Sequence, residues 1–297
     1  MFGWHAIPRP QHDLSSVLSA YLAFRRRIYF PHFVTFAAML ERITPLILTY
    51  NEEANIGRCL EKLGWAREIV VVDSFSADRT LEIVRRFGNA RLVQRKFMGF
   101  SDQWNFSVAE TGIRTDWILG LDADFILSGE CVAELESLVP PRETAAYKTE
   151  FRFCIFGKPL PQSILPGRVV LFRRGKVRFE QDGHAHKAVP AGEIAALRKS
   201  IDLDDRKPVS RWMVSQDKYA QQERDKLLVA DEALGLPDRL RWRLIPAPLL
   251  VLVYCLVFKR LAFAGLPGWF YTYQRVLAEI MLSLYLMEAR LSSSDER

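Results

Sequence analysis

The 297-residue chain predicts an α/β fold: a mainly parallel sheet with flanking helices, followed by a C-terminal helical region. Short apolar runs at 44–49, 68–73, 90–94 and 117–122 have strand length and end in polar residues. Segments of helical period separate them, the spacing of parallel strands joined by right-handed crossovers. Beyond Arg239 the composition shifts to apolar runs, prolines and aromatics between basic flanks.

Residues 1–42 read as an extension of uncertain status. An apolar stretch after Arg25-Arg26-Arg27 is broken by Pro31, so it is neither a clean signal peptide nor a spanning helix. Two readings stay open: a natural start at Met39, or a basic, aromatic arm facing a membrane. A catalytic domain is expected over 43–235 and apolar or amphipathic helices over 236–297.

The first strand runs into T-Y-N-E-E, where Asn51 is expected to cap a helix whose first turn holds Glu52 and Glu53. Ile56, Cys59, Leu60 and Leu63 continue that helix. E-I-V-V-V-D makes a second strand ending at Asp73, with a helix over 78–87 after it. A third strand at 90–94 and a helix at 101–110 lead to W-I-L-G-L-D-A-D-F at 117–125. Helix 130–138, strands 147–156 and 169–179, and a polar helix 209–233 follow. The later apolar run is about 15 residues and holds Pro246 and Pro248, short of the roughly 20 that span a bilayer. It reads as an interfacial segment or as a helical pair packed on the catalytic domain.

Net charge is +6, which suits an anionic partner such as a phosphate-bearing substrate or an acidic membrane. No nucleic-acid module is present. The four cysteines are widely spaced in apolar contexts, which argues for core residues and against zinc.

Three strand ends thus carry polar residues on one edge of one sheet: Thr49-Tyr50-Asn51-Glu52, Asp73-Ser74, and Asp122 with Asp124. Ligands of open α/β sheets bind at that edge. Two carboxylates one residue apart suit a hard divalent cation that completes its shell with phosphates and water.

These residues resemble those of family 2 glycosyltransferases of the GT-A fold. The resemblance rests on T-Y-N-E-E, on V-V-V-D-S-F-S-A-D-R-T at 70–80 and on L-D-A-D at 121–124, and is similar to the small membrane-associated subgroup of lipopolysaccharide core glucosyltransferases. Phe75 and Ala77 stand where that subgroup usually has glycine and threonine. The resemblance implies transfer from a nucleotide-sugar with inversion at the anomeric carbon, on the cytoplasmic face of the inner membrane, to a glycan or lipid-linked acceptor. It implies that Thr49, Tyr50, Glu52, Asp73, Ser74, Gln103, Asn105 and Asp122 face the donor. Asp122 and Asp124 would hold Mg²⁺ or Mn²⁺.

An inverting transfer needs a base within reach of the acceptor hydroxyl. Asp182 in E-Q-D-G-H is the first choice, with a turn role before Gly183 as its alternative, and Glu180 is the second. The His-Glu pair of the subgroup is incomplete here, because Lys187 follows His186. His184 and His186 are candidates for metal or phosphate, and Arg168, Arg173 and Arg174 for phosphate. Arg211-Trp212 lacks the upstream glutamine of processive synthases, so processivity is not expected. A nucleotidyltransferase would need a glycine-rich loop after the first strand, where this chain has T-Y-N-E-E. A non-catalytic membrane scaffold that binds sugar nucleotides is the other alternative.

Overall fold

The computed structural model describes residues 37–162, 166–182, 185–229, 241 and 243–294. The N-terminal arm, apart from 37–42, and His184 lie outside the described residues. Met39, in the short helix α1 (Ala37–Leu40), is buried against the core.

Strands β1 (Ile43–Thr49), β2 (Ile69–Asp73), β3 (Ala90–Gln94) and β4 (Trp117–Asp122) pair in parallel in the order β3-β2-β1-β4. Helices α2 (Ile56–Glu61), α3 (Thr80–Val84) and α4 (Phe100–Glu110) connect them. Both faces of the sheet are covered, which explains the unbroken apolar runs. Ile43, Ile47, Ile69 and Val71 face one core with Cys59, Leu60 and Leu63 of the α2 segment. Leu46, Val70, Val72 and Ile118 face the other with Trp104 of α4. A Cβ on Gly120 would stand 3.0 Å from the Trp104 ring, so this strand position needs glycine for close approach.

After β4 come β5 (Phe125–Ile126), α5 (Gly129–Ser137), β6 (Thr144–Thr149), β7 (Phe151–Ile155), β8 (Lys158–Pro159) and β9 (Arg168–Arg173). Strand β9 lies antiparallel between β4 and β6, and β12 (Glu193–Ala196) closes the seven-stranded sheet. β10 (Val177–Asp182) and β11 (Ala185–Pro190) form a separate hairpin. β13 (Ile201–Leu203) joins β5, β7 and β8 in a second sheet.

Several expectations are corrected. Asn51 caps no helix: it stands at φ 53, and its Oδ1 accepts the Ala77 N–H at 2.7 Å. Helix α2 therefore begins at Ile56, and α3 spans only Thr80–Val84. The expected strand 147–156 is two strands broken at Glu150, and 169–179 is split by a turn at Arg174-Gly175, with Gly175 at φ 75. The four cysteines are buried and free, as their spacing predicts.

Helix α6 (Val209–Val229) packs on the last helix, α8 (Gly265–Ser294), through Ala220, Leu227, Leu282 and Leu286. Before α8 stand α7 (Pro246–Val253), a π-helical turn (Tyr254–Phe258) and a 3₁₀ turn (Leu261–Ala264). Pro246 and Pro248 lie in the first turn of α7, where the missing N–H costs nothing. Cys255, Leu261 and Tyr271 of this elbow pack on Phe153 and Leu160. Gly268 permits that bend, because a Cβ there would meet the Leu261 carbonyl at 2.1 Å. Among the described residues no single helix is long and apolar enough to cross a membrane. Only the pair 246–258 and 261–292, bent by 69°, passes that test together.

Candidate active site

The register of the parallel strands assembles the site. Thr49 pairs with Asp73 across β1 and β2, and Leu48 with Asp122 across β1 and β4. The three strand ends therefore finish level on one edge, as the sequence predicts. Asp73 is fully buried; its carboxylate accepts the Ser76 N–H at 2.9 Å and the Ser76 hydroxyl at 2.5 Å. Ser76 Oγ in turn accepts the Asn51 N–H at 2.7 Å, and Thr80 Oγ1 accepts that of Glu52 at 2.7 Å. These bonds hold the loops after β1 and β2 together at that edge of the sheet. Gln103 Nε2 donates to Ser74 Oγ at 3.3 Å from the other side. Tyr50 is exposed at the rim. Thr49 Oγ1 is buried and has no hydrogen-bond partner among the described residues, which leaves it an unmet polar group at the end of β1.

Glu52 does not stand open. Lys207 Nζ donates to its Oε1 at 2.5 Å and Asn55 Nδ2 to its Oε2 at 2.8 Å. Asp205 lies 3.5 Å from Lys207 and accepts the Asn55 amide at 2.8 Å. Burial raises the Glu52 carboxyl in spite of Lys207. Although burial works to lower it, Glu52, Asp205 and Asp124 hold the Lys207 ammonium above the usual lysine range. Burial, with the charges of Glu52, Asp122 and Asp205, pushes the Asp124 carboxyl up to about 8 against the pull of Lys207. Negative charge is thus in excess around Asp124. No group of three protein ligands is preassembled among the described residues. Two carboxylates with an excess of negative charge nonetheless fit a hard cation that takes its remaining ligands from substrate phosphates and water. Asp122 and Asp124 would hold it.

On the far side of Asp122 a cavity of about 330 Å³ opens between β4, β6, β9 and the β10–β11 hairpin. Trp104, Phe172, Phe179, Phe125 and Phe151 wall it, and Arg168, Lys148 and His186 bring polar groups. Arg168 reaches Asp122 at 3.4 Å and lies over the rings of Phe151 and Phe125 at 5.1 and 5.5 Å. His186 sits 5.6 Å from the rings of Trp104 and Phe179, and burial holds it below the usual histidine range.

Other candidates are placed elsewhere. Asn105 is engaged with the hairpin: its Nδ2 donates to the Phe179 carbonyl and its Oδ1 accepts the Phe179 N–H, both at 2.9 Å. It fastens the hairpin to α4. Glu180 is exposed and paired with Arg178 at 2.7 Å, while its neighbour Phe179 lines the cavity. Asp182 ends β10, and its side chain lies outside the described residues. Arg173 and Arg174 are at the opposite end of the sheet, donating to the carbonyls of Thr144, Pro141 and Thr115, so only Arg168 is near the carboxylates. The sequence reading missed Asp205 and Lys207. Their only local signal is the charged run D-L-D-D-R-K before Pro208.

Residues 46–154 match the family model described as glycosyl transferase family 2. The lipopolysaccharide core biosynthesis glycosyltransferase LpsC of Rhizobium meliloti is 28% identical over 194 residues, 62% of this chain and 71% of that protein. An uncharacterized glycosyltransferase of Rickettsia bellii is 36% identical over 110 residues, 37% of this chain and 36% of that one. The match thus spans about a third of the Rickettsia protein's length. A mannosyltransferase from Pyrobaculum calidifontis, solved in complex with GDP-Man and Mn²⁺, superposes with a TM-score of 0.50 over 92% of this chain and 95% of that one, at 17% identity. At that identity the likeness is one of fold, and the fold is GT-A-like.

Proposed function

We propose, from a chain that carries a family 2 glycosyltransferase domain on a GT-A-like sheet, that it moves a sugar from a nucleoside diphosphate of the uridine type to a glycan hydroxyl. The observation that carries this reading is the level edge of Thr49, Asp73 and Asp122, with Asp124 just beyond and Thr49 Oγ1 unmet. In this reading the nucleoside lies over Thr49, Tyr50, Asp73 and Ser74, and the diphosphate faces Asp122 and Asp124. A divalent cation, Mg²⁺ or Mn²⁺, neutralises the charge on the departing diphosphate when bound. The acceptor hydroxyl attacks the anomeric carbon as the bond to the diphosphate breaks, which inverts that centre. Asp182, next to Gln181, the register partner of His186, takes the hydroxyl proton. We place the acceptor at the cytoplasmic face of a membrane, as a lipid-linked or lipopolysaccharide-type glycan. The exposed apolar elbow before α8 supports that placement.

Thermal shift with a panel of nucleotide sugars, with Mg²⁺ or Mn²⁺ and with chelator, tests the donor site, because a ligand of the folded state raises its stability. A cation-dependent shift with one uridine diphosphate sugar, lost in Asp124→Ala, is the expected result. No shift with any donor on folded protein would discard the donor site.

A further inference from the structure

We propose that the aromatic cavity beside Asp122 binds an acidic sugar unit of the acceptor, one that carries a phosphate or a carboxylate. This rests on the glycosyl-transfer reading above and adds a substrate class to it. The cavity adjoins the proposed reaction centre through Asp122, yet lies across β4 from the strand ends Thr49 and Asp73. Trp104, Phe172, Phe179, Phe125 and Phe151 give it an apolar wall against which the C–H face of a sugar ring can lie.

The charges in it are lopsided. Among the described residues Asp122 is the only acid lining it, against Arg168, Lys148 and Lys187. Arg168 is held in place by the rings of Phe125 and Phe151, and its contact to Asp122 is long at 3.4 Å. A guanidinium has five N–H donors in a fixed fork, so a second, planar or tetrahedral anion can share it. Lys148 is an exposed residue in an otherwise buried strand and shares a sheet face with Ala146, which packs beside Phe172. Among the described residues no carboxylate pairs with it. A neutral sugar would leave these cations facing an aromatic wall with Asp122 alone to answer them. An anionic substituent answers them.

The test titrates the full chain with glucose, glucuronate and glucose 6-phosphate, followed by ligand-observed NMR, and in parallel measures the uridine diphosphate sugar thermal shift. Glucuronate or glucose 6-phosphate is expected to bind at least about tenfold tighter than glucose. Lys148→Gln is expected to reduce that advantage to about threefold or less while the donor shift stays unchanged. Arg168→Gln should reduce it further. Equal binding of the neutral and acidic sugars, or an advantage that survives in both variants, overturns the proposal. So does binding of none of them by protein that still binds donor. If Lys148→Gln weakens the donor shift instead, the cations serve the donor diphosphate and the proposal fails. A missing donor shift with an intact acidic preference would remove the transfer reading and leave the anion site standing.

Discussion

Lys207 Nζ stands 2.5 Å from Glu52 Oε1, joining the end of the second sheet to the loop after the first strand across 155 residues. Both side chains are mostly withdrawn from water. Removing one partner of such a pair leaves the other charge buried without compensation. Lys207→Met is expected to destabilise the fold by about 2–4 kcal/mol. The double variant with Glu52→Gln should recover about half of that loss, as urea melts would show. A loss that is additive in the double variant would mean that the pair is not coupled.

The Asp124 carboxyl gives a pH signature. Its ordinary value is 3.8 and the fold raises it to about 8. Between these values the folded state binds the proton and the unfolded state does not, so stability from this group falls as pH rises from about 4 to about 8. The full cost, on the order of a few kcal/mol, is present above that window. In chelator, Asp124→Asn should therefore melt close to the native chain at pH 4 and clearly above it at pH 8.5. A gap of the same size at both pH values would show that the carboxyl is not perturbed.

The strand ends were readable because a parallel strand buried on both faces appears as a continuous apolar run with a polar stop. That is why Asp73 and Asp122 are found level, as expected. The partners of Glu52 were not readable, since Asp205 and Lys207 come from a distant segment and meet it only through tertiary packing. Glu180 stands second as a base in the sequence, and only the folded hairpin shows its carboxylate paired with Arg178. Asn105 reads in the sequence as one polar position on a helix face, and only the docked hairpin shows that its amide bonds both backbone groups of Phe179.

Phe75 keeps the left-handed turn that glycine would make, at φ 61, with its side chain 56% exposed. A non-glycine residue there costs roughly 1–2 kcal/mol, and an exposed ring recovers little of it by packing. Phe75→Gly should stabilise the chain by up to about 1 kcal/mol, since glycine's greater freedom when unfolded offsets part of the gain. Phe75→Val should destabilise it, because a branched Cβ worsens the same clash. Chemical denaturation of the two variants decides this, and a destabilised glycine variant would mean that the ring makes contacts worth more than the strain.

Asn105 separates donor binding from hairpin docking. Its two bonds to Phe179 hold β10 against α4 and so set the position of Asp182. Asn105→Ala is expected to cost about 1–2 kcal/mol in stability, from two lost hydrogen bonds. The nucleotide-sugar thermal shift should persist while transfer turnover falls at least about tenfold. A lost donor shift with normal turnover at saturating donor would instead make Asn105 a donor contact.

The elbow between α7 and α8 presents Phe263 at 89% and Leu266 at 83% exposure, with Val257, Phe258, Leu249 and Tyr273 also open to solvent. Its other face is spent on Phe153 and Leu160, so these residues are not turned out for want of a core. Arg243, Lys259 and Arg260 flank the patch. An apolar surface with aromatics and a basic margin suits the interface of an anionic bilayer. Withdrawing Phe263 and Leu266 from water is worth roughly 3 kcal/mol or more together, on the order of a hundredfold in binding. The full chain should therefore sediment with vesicles containing anionic lipid, and less with neutral ones. Phe263→Asp with Leu266→Asp should abolish that and leave the donor thermal shift intact, because both residues are almost fully exposed and neither is packed on the site. Unchanged sedimentation of this variant would reject the elbow as the membrane contact and leave its apolar face to a protein partner.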